Sequence, residues 1–210
     1  MEQLHPLADW GSIFIVPPDF LNNETFIQIT YPLSGSPLDV QISKGASKHN
    51  ISIDKWAPYE ISSLANVTTV INAEIIYPPY VFNFPLQVIN YVRQTSNSGN
   101  SYMVNIPGVR QYKSQYQVPI PDGYLNSYIT VMIRNNSISD LRLNDQAISS
   151  DMVRFESKVV VKSIEYSIAT VEVSPGRLNI ESTTDSPFGL IVRGYGDSGA
   201  HGFTGNFVDP

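Results

Sequence analysis

The run Gly196-Asp197-Ser198-Gly199 has the residue types and the spacing of a serine nucleophile motif. In chymotrypsin-like proteases such a serine works with a histidine base and a buried aspartate from other parts of the chain. His49 lies in a polar turn and lacks the small-residue surroundings of that base, and His5 lies at the start of the chain. Only 12 residues follow Ser198, too few for the strand and helix that complete such a protease. The sequence therefore predicts a glycine-rich loop and no enzyme, with a serine hydrolase that uses Ser198 as an alternative.

Metal binding is the second kind of chemistry that these residues could support. His5, His49 and His201 are far apart, and none has the partner at i+2 or i+4 that indicates a transition-metal site. Asp185 and Asp197 stand in segments whose carbonyl oxygens could join them around calcium. However, the sequence lacks spaced Asp-x-Asp patterns, and Asp185 before Ser-Pro is typical of a turn. We therefore predict no metal and no cofactor.

Aromatic side chains are candidates for contacts with a glycan or a protein. Trp56 lies in a predicted loop, where its indole could stack on a sugar, so a carbohydrate-binding, lectin-like module is a further alternative. Tyr195 and Phe203 lie in a closing segment with glycines at 194, 196, 199, 202 and 205. So many glycines disfavour a regular strand. We predict that residues 194–205 form an ordered loop with Tyr195 and Phe203 packed against the edge of the fold, and that Trp56, Tyr195 and Phe203 are the candidate contact residues.

Four sequences fit the acceptor pattern for N-glycosylation. Each lies near the end of a predicted strand, where a glycan has room. The candidate acceptors are Asn23, Asn50, Asn66 and Asn135. They are compatible with a secreted glycoprotein.

Charged residues are scarce in this chain. Asp, Glu, Lys and Arg make up 15% of the residues, against roughly 25% in an average globular protein. The net charge of -6 speaks against nucleic acid as a partner, because phosphate binding needs clustered Lys and Arg. The chain has no cysteine, which excludes disulfides and thiolate metal sites. Its longest aliphatic run, Val159-Val160-Val161, is too short for direct membrane insertion.

Strand patterns dominate the sequence, and they occur twice. Ile27 and Ile29 alternate with polar neighbours, and the same pattern returns at Ile129 and Val131. Together with the segments around them, these matched stretches lie 101 to 104 residues apart. A nearly constant offset indicates an internal repeat. The nearest approach to a helical pattern, residues 54–64, is interrupted by Pro58.

The predicted fold is all-β and consists of two tandem antiparallel β-sandwich modules of Ig-like size. An internal repeat of about 102 residues relates them. The first module comprises residues 1–100 and the second comprises residues 101–210, with the boundary in the small-polar tract at residues 95–101. Repeated β modules are usually binding or structural units, which favours a non-enzymatic role.

Specific landmarks occur in order along nearly the whole chain. They are Glu2-Gln3-Leu4-His5-Pro6-Leu7, Trp10-Gly11, Phe14-Ile15-Val16-Pro17-Pro18, Val104-Asn105-Ile106-Pro107, Gln111-Tyr112, Leu143-Asn144-Asp145-Gln146-Ala147, Asp185-Ser186-Pro187-Phe188-Gly189 and Gly194-Tyr195-Gly196. This series resembles the N-terminal domain family of the IgGFc-binding protein, and the chain looks like the second half of that longer domain. Two features depart from the family pattern: residues 200–205 replace its aromatic closing run, and its cysteines are missing.

The resemblance implies a module of a larger secreted protein, located outside the cell or on its surface. It implies a role in adhesion, matrix or mucus-type structure through contacts with an extracellular protein or a glycan. We do not extend antibody binding to this chain, because no residues here indicate an Fc site. If the protein is secreted, we expect its signal to lie outside this segment.

Overall fold

The computed structural model describes residues 11–22, 24–32, 37–54, 57–77, 80–93, 101–134, 137–197 and 199–205. In this part of the chain, the regular structure consists of β-strands and two short 3-10 turns, at Val109–Gln111 and Ser137–Asp140. The prediction of an all-β protein with antiparallel sheets is therefore confirmed. The chain divides into two compact units. Unit 1 comprises Met1–Val92 and Asn105–Gln111, and unit 2 comprises Arg93–Val104 and Tyr112–Pro210.

Unit 1 contains two antiparallel sheets and a hairpin. Its strands are β1 (Ile13–Val16), β2 (Glu24–Thr30), β3 (Leu38–Lys44), β4 (Ser47–Ile53), β5 (Tyr59–Leu64), β6 (Thr69–Asn72), β7 (Glu74–Tyr77), β8 (Tyr80–Asn83) and β9 (Gln87–Tyr91). One sheet has the order β1-β6-β3-β4, the other contains β9-β2-β5, and β7 pairs with β8. The short strand β10 (Met103–Asn105) spans the point where the chain passes from unit 2 back to unit 1.

Unit 2 also contains two antiparallel sheets. Its strands are β11 (Gln115–Ile120), β12 (Asn126–Arg134), β13 (Leu141–Leu143), β14 (Gln146–Ala147), β15 (Val153–Val161), β16 (Ile164–Val173), β17 (Gly176–Ser182), β18 (Phe188–Gly196) and β19 (Gly199–Thr204). The sheet orders are β11-β17-β13-β14 and β15-β16-β12-β18-β19.

Alternating side chains explain why these segments are strands. Along β3, Val40 and Ile42 are fully buried while their neighbours Asp39 and Gln41 are exposed. This period of two places one apolar row against a core and one polar row in water. Ile27, at the centre of β2, is buried in the same way. In unit 2 the core is built from inward side chains of both sheets.

The central strands of unit 2 depart from simple alternation. Every residue of β18 is buried, and in β12 the polar residues Ser127 and Thr130 are buried together with the apolar ones. Thr130 meets this burial by a hydrogen bond with Thr170, with 3.0 Å between the hydroxyl oxygens. Such a bond lowers the cost of removing a hydroxyl from water. The sequence pattern predicted these strands but not the burial of both faces.

The strands that have counterparts in both units are arranged in the same order. In unit 1, β2 pairs with β5 on one side and β9 on the other. In unit 2, β12 pairs with β16 and β18. The register also corresponds: Ile27 lies opposite Asn90, and Ile129 lies opposite Val192, which is 102 residues later on both strands. The other sheets match as well, since β1-β6-β3-β4 and β11-β17-β13-β14 connect their strands in the same sequence.

The closing glycine-rich segment differs from the prediction. Gly199–Thr204 is not a loop but the edge strand β19, which pairs with β18 from Ile191 to Gly196. The entropic cost of ordering glycines is met because the strand packs: Phe203 contacts the core of unit 2. The predicted domain boundary at residues 95–101 lies almost wholly outside the described residues, so the division at residue 100 stays a prediction.

Candidate functional site

The predicted contact residues Tyr195 and Phe203 lie on the hairpin formed by β18 and β19. Across this hairpin, Tyr195 pairs with Ala200, Gly194 with His201 and Val192 with Phe203. Because side chains alternate between the faces of a sheet, His201 and Phe203 share one face and Tyr195 lies on the other. The third predicted contact residue, Trp56, lies outside the described residues.

On the first face, the imidazole of His201 lies on the backbone of Gly194. A Cβ at position 194 would be 2.0 Å from Cε1 and 2.5 Å from Nδ1 of His201, closer than atoms can approach. The ring also contacts Tyr124 edge-on at a centroid distance of 4.3 Å, and it stacks on Phe203 at 5.8 Å. Gly194 is therefore required by the close approach of an aromatic ring.

The ring nitrogens of His201 are buried, and neither has a hydrogen-bond partner among the described residues. Burial lowers the pKa of His201 below its usual value, because the charged imidazolium loses water without gaining an acceptor. A catalytic base needs a neighbouring acceptor that fixes its orientation and stabilises its charge. His201 has no such acceptor within the described part of the chain, so its surroundings indicate a neutral packing residue.

The second face of the hairpin carries an aromatic and cationic cluster. The guanidinium carbon of Arg193 lies 5.6 Å from the ring centre of Tyr102, a cation–π distance. Tyr195 contacts Tyr102 edge-on at 6.2 Å and Tyr128 at 6.1 Å. Tyr195 is only 6% exposed. It therefore contributes to the interior of unit 2 and offers almost no surface to a partner, whereas Phe203 is half-buried.

The serine motif lies at the tip of the same hairpin. Gly196 and Gly199 pair with each other at its tip, Asp197 is exposed, and Ser198 lies outside the described residues. His49, a candidate base by residue type, is exposed on β4 of unit 1. Among the described residues, no histidine paired with a buried carboxylate lies next to this motif.

The raised pKa values of two tyrosines in unit 2 have a structural cause. Burial raises the pKa of Tyr116, and its hydroxyl donates to the Phe188 carbonyl at 2.6 Å and accepts from the Lys113 amide at 3.0 Å. Tyr112 is also buried, with its pKa raised for the same reason. Perturbed pKa values often mark functional sites, but here the hydroxyl of Tyr116 ties one strand to the start of another.

A small open pocket lies in unit 1 between Gly11, Phe14, Leu86 and the β9 region. Its volume is about 30 Å³, which leaves room for little more than water. Gln87 donates to Asn105 at 3.1 Å on its wall. Such a pocket is far smaller than the usual small-molecule site, so it does not indicate a substrate.

Two of the four glycosylation candidates lie in the described part of the chain, and both are exposed. Asn50 lies on the edge strand β4, and Asn66 lies in the turn between β5 and β6 with φ of 62°. Asn23 and Asn135 lie outside the described residues. Asp185, a candidate calcium ligand, is exposed in a turn with φ of 56°. No cluster of three or more potential metal ligands occurs among the residues with described positions.

No helix in the described residues is long and apolar enough to cross a membrane.

The ring contacts of His201 are not predicted by the sequence analysis. The available signal was the alternation of Gly199–Thr204, in which His201 and Phe203 occupy every second position between small residues.

Comparison with known proteins gives a family for this chain. The family model described as IgGFc binding protein matches residues 1–194. No curated protein and no solved structure matches the chain. The match covers all of unit 1 and most of unit 2, including the hairpin residues Gly189 and Gly194. The chain therefore belongs to the IgGFc-binding protein family.

Proposed function

We propose that this chain is a non-enzymatic extracellular module that contributes to adhesion, matrix or mucus-type gel structure through contacts with a protein or a glycan. The observation that carries the proposal is the family match over residues 1–194, because the family's name refers to binding of a protein outside the cell. The proposal needs only the family match over this region and does not require that the partner is an antibody.

The described geometry supports binding rather than catalysis. The shifted pKa values of Tyr116 and His201 result from the packing of these side chains. The pocket described above in unit 1 has a volume of only about 30 Å³. A β-scaffold with exposed loops is a common support for binding surfaces.

We further propose that units 1 and 2 are two copies of one Ig-like module. The support is the shared strand order and the 102-residue register between β2–β9 and β12–β18. Duplication extends the surface that one chain can offer to partners, which suits an adhesive or structural role.

The proposed function is tested with the whole chain as immobilised bait in extracellular material from its own source. We expect a retained protein or glycoprotein that is lost when the bait is heat-denatured first. Labelling by a fluorophosphonate probe that Ser198→Ala abolishes would instead establish a serine hydrolase. A glycan array that binds the wild type and loses signal with Trp56→Ala would favour the lectin-like alternative.

A further inference from the structure

The outer edge of β5 in unit 1 differs from the corresponding edge in unit 2. Ile27 lies between Ile61 on β5 and Asn90 on β9. The equivalent residue Ile129 lies between Val171 on β16 and Val192 on β18. By this register β16 is the counterpart of β5. In unit 2 a further strand, β15, covers β16, whereas no described strand covers β5.

Chain length explains the difference. In unit 2, sixteen residues, 148–163, connect β14 to β16 and include the nine residues of β15. In unit 1 only residues 54–58 connect β4 to β5. Five residues can bridge two strands but cannot contribute an extra strand and a return turn. Among the described residues, unit 1 therefore has no covering strand next to β5, because this connection is short.

The missing strand leaves apolar side chains uncovered. Ala169 and Val171 on β16 are fully buried. Their counterparts on β5 are Tyr59, which is 36% exposed, and Ile61, which is half-buried. In unit 2, Val153 at the start of β15 packs against the core. A strand in the same position on unit 1 would cover Tyr59 and Ile61.

Lys44 occupies the open edge of β5. Its ammonium group donates a hydrogen bond to the carbonyl of Ser62, and burial lowers the pKa of Lys44. Lysine on a sheet edge discourages unspecific strand pairing. A single flexible side chain is easily displaced, however, and so this edge is protected without being closed.

We propose that the β5 edge of unit 1 accepts an extended segment of a partner protein, which adds as an antiparallel strand in the position that β15 takes in unit 2. The segment needs about six residues, to match the length of β5, with apolar side chains at alternate positions over Tyr59 and Ile61. Backbone hydrogen bonds provide affinity in this mode, and the alternate side chains provide specificity. The inference rests on the proposed function, since it specifies how one protein contact of the module is made.

The covering strand of unit 2 provides the chemistry of the occupant. β15 has the sequence VRFESKVVV, in which half-buried and exposed residues alternate up to the buried Val161. A second copy of the chain is a poorer occupant. Its own β15 is already paired with β16 and carries Arg154 and Lys158 in ion pairs with Glu172 and Glu165.

The test uses the full chain and a fluorescent peptide with the sequence of β15, Val153–Val161. Fluorescence polarisation should show saturable binding, and a scrambled peptide of equal composition should bind about tenfold more weakly or worse. Two further peptides carry N-methyl groups on alternate amides, one set for each edge of the strand. Only one of the two should bind, because an added strand uses the amides of a single edge.

Variants of the protein locate the site. Tyr59→Arg should weaken peptide binding about tenfold by placing a charge over the apolar contact, while Leu125→Arg, at an exposed leucine of unit 2, should leave it unchanged. Equal binding by Tyr59→Arg and the wild type, or by both N-methylated peptides, would overturn the proposal. So would concentration-dependent dimerisation that Tyr59→Arg abolishes, because the edge would then be covered by a second copy.

The outcomes separate this inference from the proposed function. If the immobilised wild type and the Tyr59→Arg variant retain the native partner equally well, the module binds its partner through another surface. In that case only the edge proposal fails. If the native chain retains nothing and Ser198 is labelled by the fluorophosphonate probe, the proposed function fails whatever the peptide does.

Discussion

The imidazole of His201 rests on the Cα of Gly194, which faces it directly across the β18–β19 hairpin. The two residues have complementary sizes, because a single methyl group at position 194 would occupy the volume of the ring. Tyr124 and Phe203 flank the same ring. This contact fixes the edge strand β19 to the sheet and gives the first two predictions.

Gly194→Ala should destabilise the chain by roughly 1–3 kcal/mol, the usual cost of forcing extra volume into a packed site. The double variant Gly194→Ala/His201→Ala should recover part of this loss, because the ring that the methyl group meets is gone. Chemical denaturation of the wild type, both single variants and the double variant provides the thermodynamic cycle. Strictly additive effects would show that the two side chains do not share this space.

The stability of the chain should fall as the solution is acidified. Burial lowers the folded-state pKa of His201 below the ordinary value of 6.5. Above that value His201 is neutral in both states, and its packing contributes fully. As the pH falls below it, the unfolded chain binds a proton more readily than the folded chain, so stability is lost until the folded-state pKa is reached.

Melting curves of the wild type and His201→Phe between about pH 8 and pH 4.5 measure this effect. The phenylalanine keeps a ring against Tyr124 and Phe203 and removes the titrating group. The variant should lose less stability than the wild type on acidification. His49→Gln, on the exposed strand β4, is the matched loss of a histidine. Parallel profiles of wild type and His201→Phe would contradict the prediction.

The sequence was sufficient for the strands and their turns, because alternation of apolar residues and turn residues are local signals. Ile27, Ile29, Ile129 and Val131 are buried where alternation placed them. The glycine content of β19 predicts a loop, because glycine has a high local entropic cost in a strand, and this prediction is wrong. What offsets this cost is the packing of His201 against a distant tyrosine, and tertiary contacts of this kind leave no local signal.

The candidate site was less accessible to prediction than the fold. The sequence predicts a contact surface at Tyr195, but the aromatic character of this residue does not indicate that Tyr102 and Tyr128 pack against it. The open edge of β5 becomes apparent only when its register is compared with that of β16. The proposed binding edge lacks a neighbouring strand among the described residues, and no single residue in the sequence indicates such an absence.

The exposed acceptors Asn50 and Asn66 should carry glycans when the chain passes through a eukaryotic secretory pathway. Both have the required hydroxyl residue two positions later, and both are exposed residues of the described part of the chain. Asn50→Gln and Asn66→Gln should each remove one glycan, seen as a mass difference that peptide-N-glycosidase treatment also removes. Identical masses for the wild type and both variants before treatment would contradict this prediction.

The assignment of residues 105–111 to unit 1 predicts where a stable fragment of unit 1 ends. Residues 105–111 belong to unit 1 although they follow residue 100. Within unit 1, the amide of Ile106 donates to the carbonyl of Val88 at 2.8 Å, Ile106 is 4% exposed, and Gly108 forms an antiparallel bridge with Phe14. A fragment that ends at residue 100 loses all of these contacts.

We therefore expect the fragment 1–111 to be more stable than the fragment 1–100 by about 3 kcal/mol, the sum of one buried isoleucine and a backbone hydrogen bond. Urea unfolding of the two fragments measures the difference. Ile106→Asn in the longer fragment is the matched control, because it keeps the chain length and removes the apolar contact, so most of the gain should disappear. Equal midpoints for both fragments would support a module boundary at residue 100 and would show that residues 105–111 add nothing to unit 1.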